Sequence, residues 1–264
     1  MIKIYHEAPK SIFKEVQQVT GGDYALVHLF EEDTQYLAQF EEAVANGREV
    51  ILDNSIFELE EAFNEEGFVK WVKHLKPEWY IVPDVLEDAK RTMSNMAGWN
   101  LRQKDVPGKK IGVVQGKTYE QIKACYGYMD KISGVDMIAI SFDYSYYTVS
   151  VPHPNKYVSW MLGRVKLLGD LLRDGVINVN KPHHLLGSSL YWEGQFYKDS
   201  DYNWIYSMDT SNPVVYGMKV GEYGGLTWDK PSVKLHTLID TNISTIPIES
   251  VLENIKSFRK AWNG

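Results

Sequence analysis

Residues Glu49–Pro83, EVILDNSIFELEEAFNEEGFVKWVKHLKPEWYIVP, carry the clearest sign of the architecture. They begin with a short apolar run, Glu49–Asp53, and end with a second one, Trp79–Pro83. Between the two runs, Glu60–Leu75 has apolar side chains at helical spacing. A strand, a helix and a second strand in this order predict a βαβ unit, whose two strands lie parallel in one sheet.

The same alternation continues on both sides of this unit. Further strands are predicted at Tyr24–Phe30, Lys110–Gln115, Asp136–Phe142, His184–Gly187, Asn203–Asp209 and Val233–Ile239. Further helices are predicted at Gln35–Asn46, Glu87–Leu101, Tyr119–Ile132, Val158–Arg173 and Ile248–Trp262. About eight repeats favour a single-domain α/β protein, a (β/α)8 TIM barrel over residues 1–264, with an open doubly wound sheet as the alternative. No glycine-rich dinucleotide loop follows the first of these runs, which favours the barrel. The regions 191–202 and 216–231, rich in glycine and aromatic residues, are expected to be inserted loops or a hairpin.

Composition narrows the classes of function. The chain has 264 residues, one cysteine and a net charge of −7. A single thiol, Cys125, excludes internal disulfides and zinc sites built from several thiolates. The acidic balance argues against a protein that coats nucleic acid but leaves room for a local basic patch. Two groups of lysines and arginines are candidates for such a patch: Lys104, Lys109 and Lys110, and Lys156, Arg164 and Lys166. The alternative is that both groups lie on ordinary solvated faces.

Two further patterns bear on location and on metal binding. No apolar run approaches the roughly 20 residues that span a bilayer, and the first residues, MIKIYHEAPK, lack the apolar core of a secretory signal. A cytoplasmic location without membrane contact is therefore expected. His183 and His184 are adjacent within a predicted strand, so they point to opposite faces. This placement favours packing at the strand edge over metal binding.

Acidic side chains follow the predicted strands. In a parallel barrel the carboxyl ends of all strands meet at one rim, where catalytic residues lie. Asp53, Asp84, Asp143 and Asp209 should converge there with Gln115. Carboxylates crowded together raise one another's pKa values, which suits a nucleophile and a general acid acting on a glycosidic C–O or C–N bond. Two alternatives remain open at this point: each aspartate caps a helix, or the oxygen-rich rim binds Mg²⁺ in an aldolase or hydrolase.

The order of short motifs at these strand ends resembles the tRNA-guanine transglycosylase family, in a shortened form similar to phage-encoded members that act on DNA. The resemblance runs from about Val50 to the end of the chain. The matching segments are Asp53–Glu58 (DNSIFE), Tyr80–Asp84 (YIVPD), Val114–Gly116 (VQG), Leu185–Gly187 (LLG) and Ser207–Thr210 (SMDT). The VQG segment is the most specific of the five.

The resemblance implies a mechanism. Asp209 is the nucleophile that attacks the anomeric carbon and displaces guanine, and Asp53 is the general acid and base. Asp84 accepts hydrogen bonds from the base, while Gln115 and the Gly116 N–H region donate to its O6. Phe57 is expected to stack on the base. The other positions carried over to the substrate site are Leu186, Gly187 and Ser141. No cofactor and no metal is implied.

Departures from the family pattern shift the expected substrate. The three cysteines of the family's zinc site are missing, and Asn212–Val214 stands where arginines hold the tRNA anticodon loop. Ser55-Ile56 replaces a glycine pair, and Ser141–Tyr144 replaces the glycine-rich turn that recognises the 7-substituent of the base. The missing arginines and cysteines favour DNA over tRNA as the partner, whereas the altered turn leaves the identity of the incoming base open. Since the family often dimerises around its zinc region, a monomer or a different dimer is expected.

The leading hypothesis is therefore exchange of guanine for a 7-deazaguanine base in DNA. Acting on a duplex would require the target nucleotide to be flipped out. Six aromatic residues in predicted loops could separate or stack on bases: Tyr144, Tyr146, Tyr147, Trp192, Phe196 and Tyr197. The alternative is that they pack within the loops. The alternatives are tRNA-guanine exchange, a purine nucleoside or DNA glycosylase that uses water, and a catalytically silent barrel that binds a purine or a protein partner.

Overall fold

Eight parallel strands, β1 to β8, form the centre of the computed structural model, which describes Met1–Gly264. The strands are β1 Lys3–Tyr5, β2 Gly22–Leu26, β3 Glu49–Asp53, β4 Trp79–Ile81, β5 Lys109–Val114, β6 Met137–Ser141, β7 His183–Leu186 and β8 Ile205–Asp209. The helices are α1 Phe13–Gln17, α2 Leu29–Glu32, α3 Thr34–Ala45, α4 Ile56–Leu59, α5 Glu65–Leu75, α6 Ala89–Arg102, α7 Tyr119–Lys131, α8 Ser145–Ser150, α9 Lys156–Arg173, α10 Asn212–Lys219 and α11 Ile248–Asn263.

The strands follow one another around a nearly closed barrel. Their hydrogen-bonded order is β1-β8-β7-β6-β5-β4-β3-β2, and a single parallel bridge between His6 and Asp23 joins the two ends of this order. The helices surround the sheet and bury their apolar faces against it. The predicted (β/α)8 TIM barrel is confirmed.

One predicted strand was wrong and one was missed. Val233–Ile239 does not pair with any strand: it is extended at first and then forms a short 3-10 turn, Leu235–Leu238. The eighth strand is β1, whose Lys3, Ile4 and Tyr5 pair with Ser207, Met208 and Asp209 of β8. An apolar segment can join a sheet only where the edge of a strand is unpaired. β1 already pairs with the edge of β8 that Val233–Ile239 would have needed.

The aromatic-rich region after β7 contains no hairpin. Tyr191–Tyr197 and Ser200–Tyr202 form 3-10 turns, followed by β8 and α10. The irregular chain after α10 includes residues 228–235, here called the roof segment, which crosses the carboxyl end of the barrel. The loop prediction for this region is confirmed. No helix of the protein combines the length and apolar character needed to cross a membrane.

Candidate active site

A cavity of about 260 Å³ opens at the carboxyl ends of the strands. Its size is near the lower end of the range for small-molecule sites, ~300–1,000 Å³. Eight of the nine residues that the sequence assigned to the site line it: Asp53, Phe57, Asp84, Gln115, Ser141, Leu186, Gly187 and Asp209. The ninth, Gly116, does not. Its Cα packs closely against α7, where a Cβ would lie 2.9 Å from the Ile122 nitrogen.

One carboxylate oxygen of Asp209 accepts two hydrogen bonds, and the other accepts none. Its Oδ1 accepts hydrogen bonds from the Gly187 N–H at 3.2 Å and from the His184 ring at 2.9 Å. Its Oδ2 has no hydrogen-bond partner, and the side chain lines the cavity although only 5% of the residue is exposed. A carboxylate oriented in this way presents a lone pair to an atom bound in the cavity.

His184 is a site residue that the sequence analysis missed. The two histidines do point to opposite faces: His183 packs outward against Tyr126 and Trp204, whereas the His184 side chain is fully buried inside the barrel. An irregularity in the β7–β8 pairing at these residues sets the register of His184 beside Ser207. The His184 Nδ1 lies 2.8 Å from the Ser207 hydroxyl. A ring that accepts from Ser207 at Nδ1 and donates to Asp209 through Nε2 satisfies both contacts.

Asp53 is built to carry a proton. Its Oδ2 accepts from the Ser55 N–H at 2.9 Å. Burial raises the pKa of Asp53 well above its usual value, and the negative charges of Glu58 and Asp209 raise it further. Ser55 holds this geometry in a left-handed conformation with φ of 60°, which is uncommon for a residue other than glycine. A buried, protonated carboxyl at the cavity can donate its proton to a leaving group.

Asp84 and Gln115 form a polar wall. The Gln115 Nε2 donates to Asp84 Oδ2 at 2.6 Å, and the Asn54 Nδ2 donates to Asp84 Oδ1 at 2.8 Å. Gln115 Oε1 in turn accepts from the Glu87 N–H. Burial raises the pKa of Asp84, although these two donors oppose the shift. The pair offers a fixed edge of acceptor and donor groups to a ligand in the cavity.

Phe57, Phe142 and Leu186 provide apolar walls beside this edge. The Phe57 and Phe142 rings lie 5.8 Å apart. Gly187 has φ of 62°, and a Cβ on it would collide with the Phe142 ring, so the turn that gives Asp209 its N–H donor requires glycine.

A buried ion pair fixes the same turn from behind. The Arg164 guanidinium donates to the carbonyl oxygens of Leu186 and Gly187, both at 2.9 Å. It also makes a two-point contact with Glu193, at 2.7 and 2.9 Å. Both side chains are fully buried. Arg164 therefore positions the backbone that holds Asp209, and it is not part of an exposed basic patch.

Four charged cavity residues were given no role from the sequence: Glu7, Glu58, Lys230 and Lys234. Burial raises the pKa of Glu7 well above its usual value, and Glu58, Asp209 and Asp53 add to the shift. Burial lowers the pKa of Lys230 to about 8, against the opposing effect of Asp143, Glu7 and Asp209. Glu7 and Lys230 follow no predicted strand, so strand ends alone could not find them.

The Glu58 carboxyl gives stability a distinct pH dependence. Burial raises its pKa to about 7 from an ordinary value of 4.5, and its Oε2 has no hydrogen-bond partner. The stability that the protonated group contributes is fully present below pH 4.5 and is lost as the pH rises through 7. We expect Glu58→Gln to raise the free energy of unfolding at pH 8 by up to ~3 kcal/mol, with little change at pH 5. Urea unfolding at both pH values measures this, with the exposed Glu222→Gln as control. Equal gains at the two pH values would contradict the assignment.

The remaining sequence candidates fall into two groups. Lys109 pairs with Glu78, and Lys166 pairs with Asp170, so neither forms a free basic patch. Lys156 alone of the six candidate cations lines the cavity. Among the aromatic residues expected as exposed wedges, Tyr144, Tyr147, Trp192 and Tyr197 are buried. Their rings fill the space between helices and loops, and Phe196 alone among the six is exposed.

No group of three or more histidine, cysteine, aspartate or glutamate side chains is arranged to hold a metal ion. Comparison with protein-family models and with curated protein sequences finds no match for this chain. The resemblance to the transglycosylases therefore depends on the short sequence motifs alone.

Proposed function

We propose that the protein is a base-exchange transglycosylase that replaces guanine in DNA with a 7-deazaguanine base. The observation that carries the proposal is the state of two carboxyls in one cavity. Asp209 has one oxygen fixed by two donors and the other free, and Asp53 is buried with a raised pKa. Displacement at a glycosidic carbon needs an oxygen that is free to attack and an acid that can supply a proton to the leaving group.

In the proposed first step, Asp209 Oδ2 attacks C1′ of the nucleotide and the bond from C1′ to the purine nitrogen breaks. The electron pair of that bond goes to the base, and Asp53 supplies the proton. His184 and Gly187 keep the attacking carboxylate oriented through Oδ1. In the second step the incoming base attacks C1′, Asp53 takes up its proton, and Asp209 is released.

The polar wall supports a purine as the leaving group. Asp84 accepts from N–H groups of the base edge, and Gln115 donates to a carbonyl oxygen, between walls formed by Phe57 and Leu186. DNA is favoured over tRNA because Asn212 and Pro213, at the positions of the family's arginines, are buried at the start of α10. They offer no cation to an RNA loop.

Labelled 7-deazaguanine, incubated with the protein and with duplex DNA, single-stranded DNA or tRNA, tests the proposal. Label is expected to enter DNA and not tRNA. Label entering tRNA alone would overturn the assignment of the polymer. Release of guanine without incorporation would identify a glycosylase that uses water. Purine binding without either reaction would identify a binding barrel.

A further inference from the structure

Four aromatic rings form a continuous row along the wall and mouth of the cavity. The centroid of Phe57 lies 5.8 Å from that of Phe142, Phe142 lies 5.6 Å from Trp160, and Trp160 lies 5.9 Å from Tyr157. All four side chains line the cavity. Phe57 is 41% exposed, whereas Phe142 is buried at 7%. The row therefore has both accessible and enclosed rings.

Each ring of this row has a lysine ammonium against it. The Nζ-to-centroid distances are 5.0 Å from Lys234 to Phe57, 4.5 Å from Lys230 to Phe142, and 5.2 Å from Lys156 to both Tyr157 and Trp160. None of the three lysines forms an ion pair with a carboxylate. Lys230 and Lys234 also hydrogen-bond to backbone carbonyls, which fixes the roof segment over the barrel.

The cavity contains charges of both signs. Its carboxyls belong to Glu7, Asp53, Glu58, Asp84, Asp143 and Asp209, and its only cations are these three lysines beside the aromatic row. Lys230 lies inside, near Asp143 and Glu7, whereas Lys156 is exposed at the mouth. The whole chain carries a net charge of −7, so a general attraction for anions is absent. A ligand that fits this arrangement has a neutral group rich in hydrogen-bond donors facing the carboxyls and an anionic group at the mouth, beside Lys156.

We infer that the outer end of this row, formed by Tyr157, Trp160 and Lys156, binds a single-stranded polynucleotide beside the nucleotide that enters the cavity, while Phe57 and Phe142 are walls of the cavity itself. The inference rests on the proposed function and specifies its substrate as an unpaired strand. Alternating aromatic rings and cations are the means by which proteins bind single strands, since unpaired bases stack on the rings and the phosphates meet the lysines. In a duplex the base faces are stacked on one another, and only the groove edges are accessible.

Lys156 and Trp160 are the members of the row that test the inference, because Lys156 is exposed and neither side chain hydrogen-bonds to the roof segment. The variants are Lys156→Gln and Trp160→Leu, both in an Asp209→Asn background that prevents turnover. Lys70→Gln is the matched control, since its ammonium lies 4.6 Å from the Trp71 ring centroid on α5, away from the cavity.

Dissociation constants are measured for a fluorescent 12-residue DNA strand with one guanine, the same sequence as RNA, its DNA duplex, and 2′-deoxyguanosine. Lys156→Gln is expected to weaken single-strand binding and to reduce the slope of log K against log salt by about 0.7. Trp160→Leu is expected to weaken it by about fivefold or more without changing the slope. Neither variant should change the affinity for 2′-deoxyguanosine, and Lys70→Gln should change nothing.

The comparison of the DNA and RNA strands identifies the sugar that the row accepts. Tighter binding of the duplex than of the single strand would overturn the inference. It would also be overturned if Lys156→Gln and Trp160→Leu, like Lys70→Gln, left single-strand binding unchanged. These results are distinct from failure of the proposed function. In that case the single strand would still bind through Lys156 and Trp160, but the protein with native Asp209 would exchange no base.

Discussion

Asp209→Asn is expected to reduce base exchange by about 10⁴-fold and to abolish any covalent protein–nucleic acid adduct. The asparagine keeps an oxygen at the position of Oδ1, so the hydrogen bonds from His184 and Gly187 are retained. At the position of Oδ2 it places an NH₂ group, which has no lone pair for attack at C1′. The chemical step is therefore removed while the cavity keeps its shape.

Two measurements separate this loss from a folding defect. The variant should retain the circular dichroism spectrum of the natural protein and its affinity for guanine. Asp174→Asn, which changes an exposed carboxylate that pairs with Arg173 on the outside of the barrel, is the control and should leave the rate unchanged. An adduct that survives denaturing electrophoresis in the Asp209→Asn variant would show that another group is the nucleophile.

Arg164→Met is expected to lower the free energy of unfolding by about 3–5 kcal/mol, because it leaves the Glu193 carboxylate buried without its cation. It also removes the donors to the carbonyl oxygens of Leu186 and Gly187. We expect kcat to fall as well, since the Gly187 N–H that orients Asp209 belongs to the same turn. Urea unfolding measures the first effect and steady-state kinetics the second.

The control for Arg164 is Arg173→Met, which breaks an exposed pair with Asp170 and should cost at most about 1 kcal/mol. Adding Glu193→Gln to Arg164→Met should recover part of the lost stability, because it removes the unpaired charge. Arg164→Lys keeps the charge but not the planar fork. Full stability and full kcat in Arg164→Lys would show that charge alone matters, contrary to the positioning role inferred from the four hydrogen bonds.

The architecture followed from the sequence because strands and helices of a parallel barrel have different apolar periodicities. Glu49–Asp53 and Trp79 onward have the character of buried strands, and the helix between them presents one apolar face. Because all strands run the same way, their carboxyl ends meet at one rim. Residues at those ends were therefore predicted to form the site: Asp53, Asp84, Gln115 and Asp209. These side chains line one cavity.

The rest of the site depends on contacts that no local pattern contains. His184 contacts Asp209 from a position opposite Ser207, where the β7–β8 pairing is irregular. Glu7 follows a three-residue strand too short to detect, and Lys230 belongs to a segment whose apolar neighbours resemble a strand. Lysines and arginines look alike in sequence, yet Arg164 is buried against Glu193 while Lys156 is exposed at the mouth. Contacts made in the folded protein decide which of these cations is buried and which is exposed.

The position of β8 between β7 and β1 has a consequence for biosynthesis. The ribosome makes β1 first, but its only ladder partner within the sheet is β8, which emerges about two hundred residues later. Until Ile205–Asp209 has left the ribosome, β7 and β1 both present unpaired edges, which are templates for aggregation. A nascent chain stalled before β8 would therefore carry Asp53 but not Asp209 and would depend on chaperones, and closure of the barrel would bring these two aspartates to one cavity.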